Sequence, residues 1–241
     1  MNLNLETTVI DLSETSFPEP PWASQGSFLH AAFIVLAAQV NRLVGLCKLR
    51  DLRRHPSGTD RVVGNLRAVP LDEAERHQVE LELKEQQLKA RFQKAMERHR
   101  ANPDAIKLGL DVLVEENGLS ELEKWALLQL IPPACSQDLG EYLYGNLDSA
   151  TFGGSFSIET LVQLADPQTL DDLVAARNVP QRLAAQGLVT VEHRARLVGP
   201  EDVLAAQVQL TWFAFAKLLG RPDLATLPRC EDENLAETSA R

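Results

Sequence analysis

The sequence has 241 residues, 24 Lys+Arg against 34 Asp+Glu, and a formal net charge of −10. Hydrophobic residues make up 44% and aromatics 5%, which suits a globular chain with material for one large domain or two smaller ones. The acidic balance counts against a general nucleic-acid binder or a peripheral membrane protein, both of which need an excess of Lys and Arg.

Residues 1–25 carry Glu6, Asp11, Glu14 and Glu19 and no Lys or Arg, so they lack the positive start of a secretory signal. A short strand is expected over 7–12, ended by the F-P-E-P-P run at 17–21. The apolar run 28–40 is shorter than the roughly 20 residues that cross a bilayer. It reads as part of a buried helix over 28–54, capped by Ser27, and no membrane association is expected. Cys47, Cys135 and Cys230 are odd in number and far apart. They form neither a disulfide framework nor a zinc pattern, which points to a reducing cytoplasm.

A second helix is expected over 72–100, holding seven acidic and seven basic residues. The acids crowd its start and the bases its end, in the sense that suits the helix dipole. Its thin apolar stripe (Leu81, Leu88, Phe92, Met96) fits either an intramolecular neighbour or an intermolecular helix pair. A third helix is expected over 104–117 and closed by Gly118. Ser120 with Glu123 then forms a capping box for a helix that Pro132-Pro133 should stop. Further helices are expected over 137–147, 158–165 (capped by Ser157), 166–177 and 180–186. The period then changes to a strand at 188–192, a turn at His193-Arg194 and a second strand at 195–198. A final helix over 201–219 precedes an acidic tail.

The expected fold is mainly α, with a helical N-terminal region followed by a winged-helix-like domain and a closing helix. The winged-helix part has a two-stranded β-wing. The expected divisions are an extended segment 1–26, a helical domain 27–117, the winged-helix part 118–219 and a tail or linker 220–241.

Chemistry is scarce. None of the seven Lys is preceded by Gly, so no Gly-Lys-Ser/Thr phosphate loop exists. The run Gly153-Gly154-Ser155-Phe156-Ser157 lacks the last Gly of a nucleophile elbow and lies between helices. The five His show no metal spacing. No enzyme activity, cofactor or metal is expected. Charge is uneven, however. Arg42, Lys48, Arg50, Arg53, Arg54, Arg61 and Arg67 face only Asp51 and Asp60, a local +5 against −15 elsewhere. Bases also gather near the wing. The helix expected to read a DNA groove, 158–165, offers Glu159 and Gln163 and no base, unlike helices that contact phosphates and base edges. If 178–186 reads instead, Arg182 and Gln186 favour DNA.

Residues 117–133 (N-G-L-S-E-L-E-K-W-A-L-L-Q-L-I-P-P) resemble the G-L-S-x-x-E-r-x-x-L-L-L-x-L-A-P-E pattern that precedes the ATPase module of a group of bacterial AAA+ ATPases. Residues 139–147 (L-G-E-Y-L-Y-G-N-L), 157–164 and 182–189 (R-L-A-A-Q-G-L-V) are similar to the segments that follow it, and 61–66 (R-V-V-G-N-L) to a G-L-Y-I segment upstream. Pro21-Trp22 and the helix behind it resemble the start of such chains. The resemblance covers about 22–219 and implies a non-catalytic, winged-helix-containing region that engages partners. The ATPase itself is absent, 150–154 lacks the usual bases, and 72–100 is longer and more charged.

The combined expectation is a non-catalytic adaptor or regulatory module acting through protein partners, an ATPase module in cis or in trans among them. The alternative is a winged-helix DNA-binding regulator. Candidate contact residues are Leu81, Leu88, Phe92 and Met96 on the long helix and His193, Arg194 and Arg196 on the wing. The candidate basic patch is Arg50, Arg53, Arg54, Arg61 and Arg67.

Overall fold

The structure is a computed structural model that describes residues 10, 12, 15–54, 71–144, 147, 156–192 and 205–226. Helix α1 (Gln25–Arg54) opens where the Ser24 hydroxyl accepts from the Ser27 N–H at 3.2 Å, so Ser24 rather than Ser27 is the cap. Phe28, Ala31, Ala32, Val35 and Leu36 are all fully buried, so α1 is covered on nearly every side. The stretch Gln25–Arg50, longer than the apolar run 28–40, is long and apolar enough to cross a membrane by length and composition alone. In the fold, 72% of its most apolar window is buried in the protein. The expected strand at 7–12 is not formed at Ile10 or Leu12, and 7–9 and 11 lie outside the described residues. Ile10 is held instead by the buried Asn41 side chain. Asn41 Oδ1 accepts its N–H and Asn41 Nδ2 donates to its carbonyl, both at 2.8 Å.

Helix α2 (Leu71–Ala101) lies along α1. Its inward row Gln78, Leu81, Glu85, Phe92, Ala95, Met96 and His99 is buried. Helix α3 is shorter than expected, Gly109–Asn117. Upstream of it, Asn102 accepts from the Asp104 N–H at 3.0 Å and closes a turn where helix was expected. Gly109 sits where a Cβ would come within 1.9 Å of the Lys217 carbonyl oxygen, so only Gly permits this approach. Gly118, at φ 65°, ends the helix as expected.

Helix α4 (Glu121–Cys135) is the hub and packs on α1, α5, α6, α7 and β3. Both halves of the Ser120–Glu123 capping box are formed. The helix runs through Pro132-Pro133 instead of stopping there. A proline at 133 cannot donate to the Gln129 carbonyl, and the fully buried Tyr144 hydroxyl donates to that oxygen in its place, at 3.0 Å. Tyr144→Phe leaves the carbonyl without this donor and should cost about 1–3 kcal/mol in urea unfolding. Burial also pushes the Tyr144 phenol far above its ordinary value. The folded chain therefore keeps a proton that the unfolded chain releases near pH 10. Stability from this group is complete below about pH 10 and is lost as pH rises beyond it. Phenolate absorbance from Tyr144 should thus appear only together with alkaline unfolding.

Helix α5 (Gln137–Tyr144) leads to β1 (Phe156–Ser157), a two-residue strand not expected from the sequence. Ser157 caps α6 (Ile158–Ala165) as expected, accepting from the Thr160 N–H at 3.1 Å. Asp166 follows with φ 50°, in the left-handed region that Asp and Asn tolerate better than most residues. Helix α7 (Leu170–Ala185) is one continuous helix through Pro180, not two, and opens on a Thr169–Asp172 capping box. Strand β2 (Val189–Glu192) pairs antiparallel with β3 (Gln207–Leu210), which also pairs with β1. Among the described residues the sheet is three-stranded, in the order β1-β3-β2. The expected strand 195–198 lies outside the described residues, and the described partner of β2 is β3. Of the expected final helix 201–219, residues 201–204 lie outside the described residues, 207–210 is β3 and the described helix is α8 (Trp212–Leu218). One hydrophobic core runs from Phe17 to Leu218 and joins the α1–α2 hairpin to the strand-bearing half.

Candidate interaction face of the winged helix

Downstream of α4 and α5, the order β1, α6, α7, β2, β3 with the sheet arranged β1-β3-β2 is that of a winged helix. The helix before the β2–β3 wing is α7. The sequence places the groove-facing helix at 158–165, with 178–186 as the alternative; α7 holds most of the alternative segment. Helix α6 is inward, with Ile158, Thr160, Leu161 and Leu164 buried.

Ala176, Val179 and Leu183 hold α7 to the core. Its opposite face carries Leu170, Val174, Arg177, Asn178 and Gln181 at helical spacing, all exposed. Leu170 is 74% and Val174 51% exposed. The two halves of this face differ. The N-terminal half holds Leu170, Asp171 and Val174, with Asp172 engaged by the cap; the C-terminal half holds Arg177, Asn178 and Gln181. Arg182 turns aside to Glu123, at 3.2 Å.

The other candidate residues separate. Leu81, Phe92 and Met96 are buried, and Leu88 is partly buried against the core. Their thin stripe is the intramolecular seam of α2, so it is not available to a partner. Phe92 belongs to a ring cluster with Trp22, Phe28 and Trp125, centroids 5.7–6.0 Å away. Arg50 and Arg53 are exposed near the end of α1, and Arg53 pairs with Glu75 at 2.9 Å. Arg54 closes α1. Arg61, Arg67, His193, Arg194 and Arg196 lie outside the described residues. Arg42, counted in the local +5, is buried between Glu85 and Asp166 and adds nothing to an open basic face.

Between α1, α4, α6 and α7 lies a cleft of about 90 Å³ lined by Gln39, Trp125, Gln129, Leu164 and Val179. This is well below the roughly 300 Å³ of an ordinary small-molecule site. Among the described residues no group of three His, Cys, Asp or Glu side chains could hold a metal ion.

Residues 16–220 match the family described as a winged helix domain, variant. The chain belongs to that family. The match takes in the α1–α2 hairpin as well as the strand-bearing half of this winged-helix protein. No curated protein and no solved structure matches the chain. The exposed pair Leu170 and Val174 escapes a sequence reading that breaks α7 at Pro180. Thr169-x-x-Asp172 was the available signal, because it marks a helix start at Leu170 and sets the face that follows.

Proposed function

We infer that this winged-helix protein is a non-catalytic regulatory module that works in the cytoplasm by protein–protein contact through the outer face of α7. One observation carries the reading. Groove-reading helices place their N-terminal residues against bases and phosphates, and here that end presents Leu170, Asp171 and Val174. Carboxylates there repel phosphate, while two exposed aliphatic side chains suit a protein anchor. The fitting partner surface is an apolar pocket with a basic rim. The resemblance of 117–147 to the region before an AAA+ ATPase module supports such a module, in cis or in trans, as the partner. The missing Gly-Lys pair supports a chain that does not bind nucleotide itself.

A DNA-binding role is the second reading, favoured by Arg177, Asn178 and Gln181 on the C-terminal half of the same face. Titration of labelled duplex DNA, followed by anisotropy at low and moderate salt, separates the two. The adaptor reading expects weak binding that ignores Arg177→Ala and Arg194→Ala/Arg196→Ala. Tight binding that falls steeply with salt and drops in those variants would instead establish a DNA-binding protein. In the partner arm, Leu170→Asp/Val174→Asp should abolish co-purification with a purified AAA+ module and leave the circular dichroism of the chain unchanged.

A further inference from the structure

Helix α2 carries two rows at alternating steps of three and four. The inner row, Gln78, Leu81, Glu85, Leu88, Phe92, Ala95 and His99, faces α1 and the core. The outer row, Val79, Leu83, Gln86, Ala90 and Gln93, lies on the opposite side and is exposed throughout. Val79 is 62% and Leu83 54% exposed. In a helix with fourteen charged residues, five consecutive uncharged positions at heptad spacing form the pattern of a helix-pairing seam.

We propose that the outer face of α2 pairs antiparallel with α2 of a second copy of this chain, about a twofold axis at Gln86. Charge and shape select both the occupant and its direction. With Gln86 against Gln86, Leu83 of one copy meets the small Ala90 of the other, and Val79 meets Gln93. The flanking charges then alternate in sign across the seam. Glu80 faces Lys94, Glu82 faces Lys89, and Arg76 faces Glu97. The twofold axis makes each of these pairs twice. A parallel pair would set Lys89 against Lys94 and Glu75 against Glu80, two like-charge contacts. Lys89 keeps its contact with the buried Glu85, whereas the partners that Arg76, Glu80 and Glu82 have in the structure are side chains three or four residues away on α2 itself. Pairs of this kind are weak and exchange readily. Helix α2 has 31 residues, and the seam occupies its middle.

Sedimentation equilibrium of the full chain tests this. The expected result is a monomer–dimer equilibrium between low-micromolar and sub-millimolar concentration, weakened by salt. Leu83→Lys should be monomeric throughout. Lys94→Glu should weaken the dimer about tenfold through two repulsive contacts, and adding Glu80→Lys should restore it. With Cys47, Cys135 and Cys230 changed to Ser, Gln86→Cys should cross-link to itself through a short bismaleimide. Glu97→Cys should not, because two such positions lie about 30 Å apart along the seam. All the α2 changes are at exposed sites, and circular dichroism verifies that each variant is folded. A chain that stays monomeric, a dimer that survives Leu83→Lys, failure of the charge swap to restore affinity, or cross-linking through Glu97→Cys would each overturn the proposal.

Discussion

Arg42→Ala should destabilise the chain by about 3–5 kcal/mol, seen as a lower urea midpoint by far-UV circular dichroism. Arg42 sits in α1 with its side chain 9% exposed. It contacts Glu85 of α2 and Asp166, the latter at 2.6 Å. Lys89 also reaches Glu85, at 2.5 Å. Removing the guanidinium leaves Glu85, 5% exposed, to Lys89 alone and strips Asp166 of its cation. The size of the loss comes mostly from the charges left behind, not from the attraction removed. Arg42→Met/Glu85→Leu should therefore regain a large part of the stability that Arg42→Ala loses. Asp166→Asn should cost much less, because that side chain is a third exposed and Asn tolerates the same left-handed backbone.

Trp22→Ala should cost a similar 3–5 kcal/mol, by cavity formation in the largest ring cluster of the core. Trp22 is 2% exposed and its ring lies 5.4 Å from Phe28, 6.0 Å from Phe92 and 5.1 Å from His99. Its backbone N–H donates to His99 Nδ1 at 3.1 Å. Nδ1 is thus the acceptor, and the proton on Nε2 points to the Ile106 carbonyl at 2.9 Å. One tryptophan fixes the N-terminal segment, the tautomer of a buried histidine and the loop before α3. Trp22→Phe keeps most of the ring contact and gives up the indole donation to the Pro18 carbonyl, 3.2 Å long. It should cost only about 1–2 kcal/mol. Parallel urea titrations of the two variants distinguish packing from the polar contact.

The parts of this fold written in local chemistry were readable from the sequence. The Ser120–Glu123 box, Gly118 and the Ser157 cap each satisfy backbone groups within a turn, so a few residues suffice to signal them. What depended on distant partners was not readable. Helix α7 continues through Pro180 because Ala176, Val179 and Leu183 bury one continuous face, and that packing outweighs the single hydrogen bond lost. Strand β3 hides because Gln207 is buried beside Val208, so no clean inside–outside alternation marks it. The candidate stripe of α2 was correctly seen as apolar, yet its destination was not, because spacing alone does not say which neighbour covers it. The α7 face followed the same logic: once the helix was broken at Pro180, Leu170 and Val174 no longer belonged to the element before the wing.

The cover over α1 has a consequence for how the chain is made. Its polar anchors reach far ahead in sequence: Gln39 to Leu164 and Arg42 to Asp166, separations of 125 and 124 residues. Helix α2, the first helix to follow it in the chain, shields one side only. The remaining sides wait for α4, α5 and α6. Contacts of such long range form slowly, and apolar surface exposed meanwhile is prone to aggregation. A nascent chain carrying α1 and α2 alone therefore presents a long apolar helix to whatever holds unfinished proteins. The longest apolar window of the described residues is thus made before the helices that complete its cover.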